Sequence, residues 1–124
     1  MWDSPNPRLT IVRSAEVWNG HDLVMSLIGE LDADTAPAVC EATVSVMSNG
    51  GRRILVDLSG VTLCDNASLY TLLGVRHALS HAGGELTLIS PSEAVRLALL
   101  RTGLRELLPM GLRAEGRLTR GNVE

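Results

Sequence analysis

Between Ile54 and Gly74 the chain reads ILVDLSGVTLCDNASLYTLLG, and no other stretch narrows the choice of fold as much. Ile54-Leu55-Val56 is an apolar run of strand length, too short for a helix. Asp57-Leu58-Ser59-Gly60 carries turn-forming residues, and a second apolar patch, Val61 to Cys64, delivers Asp65-Asn66-Ala67-Ser68. From Leu69 onward the apolar residues Leu69, Leu72, Leu73, Val75, Leu79 and Ala82 recur at helical spacing. A buried strand passing through a loop into a helix is the repeating unit of an α/β sheet. Its rim, where strand ends meet unpaired N–H groups of helix starts, is where such sheets place function. Asp65, Asn66, Ala67 and Ser68 fall on that rim, with Leu69 directly behind them.

The flanking sequence completes an α/β pattern. Leu9 to Val17 and Asp22 to Ile28 suit two strands, and Asn19-Gly20 between them predicts a hairpin turn. Gly29 to Asp34 breaks the second run. Asp34 or Thr35 is placed to cap the next helix, with Pro37 in its first turn, where a missing N–H costs little. Ala36, Val39, Cys40, Thr43 and Met47 give that helix one apolar face, and Asn49-Gly50-Gly51 ends it. Glu85 to Ile89 reads as a strand. Ser90, Pro91 and Glu93 predict the start of a third helix, with Ser90 as N-cap and Glu93 closing a capping box. Thr102-Gly103 stops it, and Leu104 to Met110 is apolar enough to pack. The expected fold is α/β: a mixed sheet of four to five strands packed with about four helices. Composition predicts a loose tail over residues 1–8, one domain over 9–110, and a loosely ordered tail over 111–124.

Bulk chemistry excludes several function classes. At 124 residues and 45% apolar, the chain can bury one real core. Its net charge of −3 gives no general attraction to nucleic acid or anionic membrane. No apolar run reaches the length of a membrane span, and the first ten residues lack the blocks of a signal peptide; a cytoplasmic location is expected. Cys40 and Cys64 form no metal or disulfide framework and read as small buried hydrophobes.

Catalytic motifs are missing. There is no dinucleotide fingerprint, no phosphate-loop lysine (the chain has no Lys) and no nucleophile elbow. His77 and His81 stand four apart on the second helix, but spacing assigns no third ligand, so they read as surface histidines and no metal or cofactor is expected. Asp32, Asp57 and Asp65 each follow a strand-like run and would form an acidic cluster if those ends shared one rim. Each can hold a loop, cap a helix, contact a partner or serve catalysis.

Four segments carry a resemblance: Gly29-Glu30-Leu31-Asp32, Val56-Asp57-Leu58-Ser59-Gly60-Val61, the Asp65 rim followed by Leu69 and Leu72-Leu73, and Thr102-Gly103-Leu104. In order and spacing, from about Leu9 to Met110, the chain resembles the anti-sigma factor antagonist family, whose fold is the STAS domain. The resemblance implies a small cytoplasmic protein without catalysis. Its partner would be an anti-sigma factor, commonly a serine protein kinase that holds the ATP and Mg²⁺, and binding would release a sigma factor. Partner contact would come from Asp32, Asp65, Asn66, Ala67, Ser68 and Leu69. The family rim usually reads Asp, a small residue, Ser or Thr, Gly, Leu, so Ala67 stands at the phosphoacceptor position and Ser68 at the glycine. Ser68 is the nearest remaining hydroxyl, turned by ~100° along the helix, and a helix-start residue on its own terms. Two alternatives stay open. One is a diverged STAS subunit of a multi-protein signalling complex, assembling with itself or with others. The other is a small ligand-binding protein or enzyme that uses the acidic rim.

Overall fold

The computed structural model describes residues 7–15, 22–108, 110–114 and 117–119. The elements run β1 (Leu9–Ala15), β2 (Asp22–Leu31), α1 (Ala36–Ser48), β3 (Arg53–Cys64), α2 (Asn66–His81), β4 (Glu85–Ile89), α3 (Glu93–Thr102), a 3-10 turn (Leu104–Glu106), β5 (Met110–Ala114) and β6 (Arg117–Thr119). The strands lie in the order β1-β2-β3-β4-β5-β6. β1 is antiparallel to β2; β2, β3, β4 and β5 are mutually parallel, and β6 returns antiparallel to β5. The expected mixed α/β sheet is present, with three α-helices and the 3-10 turn among the described residues. The Asn19-Gly20 turn lies outside them. Strands also occupy Met110–Ala114 and Arg117–Thr119, where composition suggested a loose tail.

The strand order dictates where the core sits. Each parallel crossover steps one strand in the same direction, and such crossovers are right-handed, so all three helices fall on one face. Contacts of α2 with both α1 and α3 agree with this. The main core lies between that face and the helices: Met25, Leu27, Ile54, Val56, Leu58, Leu86 and Leu88 meet Val39, Val46, Leu69, Leu72, Leu79, Val95 and Leu99. Among the described residues the other face holds a small cluster of Val24 and Ile89 with Leu55. The helix face of α2 is as its periodicity predicts: Leu69 and Leu72 are fully buried and Leu73 packs at the margin. Leu72→Ala is therefore expected to cost roughly 2–5 kcal/mol, the range for truncating a buried leucine. The check is urea unfolding at a constant slope; a cost under ~1 kcal/mol would mean that the site collapses around the deletion.

β3 departs most from expectation. Residues 57–64 read as a loop and a separate patch, yet they continue the strand to Cys64. Two irregularities make this possible. β2 spans 10 residues and β3 spans 12, while their ends pair as Asp22 with Arg53 and Leu31 with Cys64. The two extra residues of β3 are absorbed at register shifts opposite Ser26/Ile28 and Gly29/Glu30. Each bulge resets the alternation of side chains, so Leu58, Val61 and Cys64, three apart, are all buried. Gly60 sits at the first shift, where a Cβ would come within 3.0 Å of the Ile28 side chain and 3.2 Å of the Leu27 carbonyl.

Helix starts bring two corrections. Ser92, not Ser90, caps α3: its hydroxyl accepts from Val95 N–H at 3.3 Å. Ser90 instead turns the chain out of β4 with φ 53°, which leaves Pro91 outside the helix. Glu93 is then the first helical residue and no capping box closes, although its charge still favours the N-terminal dipole. At α1, Thr35 stands at the N-cap position but caps nothing. Its buried hydroxyl donates to Glu30 C=O and accepts from Asp32 N–H, both at 2.9 Å, tying the end of β2 to the loop.

Candidate functional site

Because Leu31 pairs with Cys64, the loops that follow β2 and β3 start side by side. Asp65 N–H donates to Leu31 C=O at 3.1 Å and extends that alignment one residue further. Asp65 is the N-cap of α2: one carboxylate oxygen accepts from Ser68 N–H at 2.8 Å and the other from Ala33 N–H at 3.2 Å. A single carboxylate thus caps the helix and ties it to the neighbouring loop. Asp32 organises that loop, with Oδ1 accepting from the N–H of Asp34 at 2.9 Å and of Thr35 at 3.1 Å. Asp32 and Asp65 therefore share one rim, a meeting that the sequence left conditional on where the strands end. Asp57 does not join them. It pairs with Ser26 in mid-strand, and one of its oxygens accepts from Ser59 N–H.

The six expected contact residues divide sharply. Asn66 and Ala67 are exposed, and Asp32 and Asp65 are partly exposed. Ser68 and Leu69 are fully buried. Leu69 belongs to the core under α2 and presents no side chain to a partner. The Ser68 hydroxyl donates to Asp65 C=O at 2.9 Å and lies 3.6 Å from the Cys64 sulfur. A kinase could reach that oxygen only by opening the first turn of the helix. The ~100° rotation per residue explains the contrast, since Ala67 points to solvent and the next residue points into the sheet. Burial pushes both thiols above their ordinary range, so neither Cys40 nor Cys64 is poised as a thiolate.

Two arginines escaped the sequence reading. Arg8, which composition assigns to a tail, donates to Asp32 and to Glu30, the latter at 3.0 Å, and reaches Asp34 at 3.4 Å. The hairpin register explains it: Leu9 pairs with Gly29, which places Arg8 opposite Glu30. Arg101 of α3 donates from Nε to the Asn66 side-chain carbonyl and from a terminal nitrogen to Cys64 C=O, both at 3.1 Å. No sequence pattern signals that contact, which spans 35 residues of chain to Asn66. Exposed Leu63 and Tyr70 flank the rim and add apolar area to it.

The Arg8 guanidinium, helped by the Thr35 and Asp34 N–H groups, outweighs partial burial and holds the Asp32 carboxyl below its usual range. The folded chain then binds this proton more weakly than the unfolded chain. The resulting stabilisation is complete above the ordinary carboxylate value of about 3.9 and is lost as pH falls through the lower folded value. Arg8→Ala is expected to flatten the acid limb of a stability–pH curve. Parallel acid limbs for wild type and variant, followed by urea midpoint, would disprove the link.

Among the described residues no group of three or more His, Cys, Asp or Glu side chains could hold a metal ion. No helix among them is long and apolar enough to cross a membrane. What the rim offers is a surface: a braced loop, a capped helix start and exposed side chains between them.

Known proteins resemble this chain in sequence and fold. Residues 14–109 match the family described as "Mlab, STAS domain". The anti-sigma-B factor antagonist of Staphylococcus aureus (strain NCTC 8325 / PS 47) is 31% identical over 80 residues, which cover 64% of this chain and 74% of that one. The anti-sigma-B factor antagonist of Bacillus subtilis (strain 168) is 26% identical over 98 residues, covering 79% of this chain and 89% of its own. The crystal structure of an anti-sigma factor antagonist from Mycobacterium paratuberculosis superimposes with a TM-score of 0.69 at 25% identity, over 88% of this chain and 89% of that one. The family match begins near the end of β1, reaches the start of β5 and takes in both loops of the rim and all three helices. The chain therefore belongs to the STAS-domain family of anti-sigma factor antagonists.

Proposed function

We propose that this protein binds an anti-sigma factor of the serine-kinase type through the Asp32–Asp65 rim, and that it acts as a permanently unphosphorylated antagonist. The observation that carries the reading is the pairing of an exposed Ala67 with a buried Ser68. The position that faces solvent has no hydroxyl, and the hydroxyl beside it is committed inside the fold. Asn66, Ala67 and Tyr70, with Leu63 on the adjacent strand end, supply a mixed polar and apolar surface. ATP and Mg²⁺ would belong to the partner. Control would then rest on the amount of this protein or on competition for the partner.

The test is to mix the purified chain with its cognate anti-sigma kinase and ATP, following both complex formation and mass. A stable complex with no added phosphate is expected. A phosphate on Ser68, abolished by Ser68→Ala and accompanied by release, would overturn the permanent form. Failure to bind any anti-sigma kinase would shift the weight to an assembly subunit. Leu97, Leu100 and Leu107 favour that second reading, because they are exposed apolar side chains on and just after α3.

A further inference from the structure

Spacing alone leaves His77 and His81 as two surface histidines; their geometry says more. The Nε2 atoms lie 3.1 Å apart, with the rings edge to face and their centroids 4.5 Å apart. Both side chains are exposed, in the last turns of α2. Positions i and i+4 of a helix are neighbours on one face, and here the same nitrogen of each ring is turned toward the other. In the neutral pair one Nε2–H donates to the other Nε2. When both tautomers carry the proton on Nδ1, both Nε2 lone pairs face the same space. A divalent ion bound to imidazole sits about 2.0–2.1 Å from nitrogen. Two such bonds across a 3.1 Å separation enclose an angle of about 98°. That value lies between the octahedral and tetrahedral angles, so the separation of the two nitrogens suits a single ion once the rings turn toward it.

We propose that His77 and His81 form a bidentate site for a divalent first-row transition metal, with water in the remaining positions. Imidazole suits Zn²⁺, Cu²⁺ and Ni²⁺, whereas Mg²⁺ and Ca²⁺ prefer oxygen. With two protein ligands the site is labile, unlike a closed structural zinc centre. It lies ten to fourteen residues along α2 from Ala67, about 15–21 Å at the helical rise, and so is separate from the rim. An ion there would clip the last turns of α2 together.

The experiment is calorimetric titration of the full chain with Ni²⁺, and then with Cu²⁺, Zn²⁺ and Mg²⁺, beside His77→Gln, His81→Gln and the double variant. Both side chains are exposed, so the variants keep the fold, and unfolding curves without metal check this. His21, the third histidine of the chain, is present throughout and sets the baseline through the double variant. One equivalent of Ni²⁺ is expected to bind, with Cu²⁺ tighter. Each single variant should bind roughly 10²-fold more weakly, because the second imidazole is no longer held at high effective concentration. The wild type alone should gain melting temperature with metal. Three results would overturn the site: wild-type affinity equal to that of the double variant, single variants that keep the full affinity, or saturable Mg²⁺ binding that disappears with the histidines.

Discussion

Gly29→Ala is expected to be among the most destabilising single-methyl additions in this protein, with its terms summing to about 0.5–4 kcal/mol and centred near 2. Gly29 has φ 122°, a region that L side chains rarely adopt, and a Cβ there would lie 2.1 Å from the Arg8 carbonyl oxygen. Strain of that kind costs of order 1–3 kcal/mol. Relief requires the start of β1 to move away, which breaks the 2.8 Å hydrogen bond from Glu30 N–H to Arg8 C=O, worth roughly 0.5–1.5 kcal/mol. The smaller entropy of the unfolded alanine chain offsets a part, about 0.4–1 kcal/mol. Gly83→Ala is the control. Gly83 also has positive φ, but a Cβ there meets nothing within 4 Å, so only strain of about 1–2 kcal/mol applies. Urea unfolding of both variants separates steric overlap from strain. Equal losses would show that Arg8 gives way freely and that the Arg8–Asp32 brace contributes little. The consequence reaches function, because the same movement withdraws Arg8 from Asp32 at the rim.

Ala67→Ser is expected to leave the fold intact and install a switch. The side chain at position 67 is exposed in the first turn of α2, where a hydroxyl meets no packing constraint. Phosphorylation would add about −1.5 to −2 charges there. The free N–H groups of the helix start tolerate an anion, so the phosphorylated chain stays folded. A partner surface seated on the rim would meet that charge beside Asp32 and Asp65. Like-charge contact and the desolvation of a phosphate cost several kcal/mol, so affinity for an anti-sigma kinase should fall by roughly 10²-fold or more. Incubation with the kinase and ATP, followed by mass and by binding, makes the comparison with wild type. Phosphorylation of Ala67→Ser without loss of affinity would mean that the partner does not sit on this turn.

Helix caps and bulges mark the boundary between what patterns reveal and what they do not. Asp65 was legible as a cap because its role needs only the N–H three residues on. The same carboxylate's second bond, to Ala33, depends on two strands ending level, and that register cannot be read locally. Ser90 reads as the cap of α3 from its place before Pro91 and Glu93, yet it turns the chain out of β4, which ends at Ile89, and the cap falls to Ser92. The strand through Cys64 was hidden because two bulges convert period two into period three, which resembles neither strand nor helix.

Sequence by itself determined the α/β alternation, the helix start at Asp65, the buried face of α2 and the absence of a hydroxyl at position 67. These are properties of spacing and of side-chain chemistry along a few turns of chain. Tertiary structure alone decided that Asp32 and Asp65 meet while Asp57 stays in mid-strand. It also decided that Arg8 and Arg101 brace the rim from distant elements, and that Ser68 and Leu69 are sealed inside. The physical reason is range. Periodicity reports which face a residue takes on its own element, whereas contact across elements depends on pairing register and packing, which many separated residues set together.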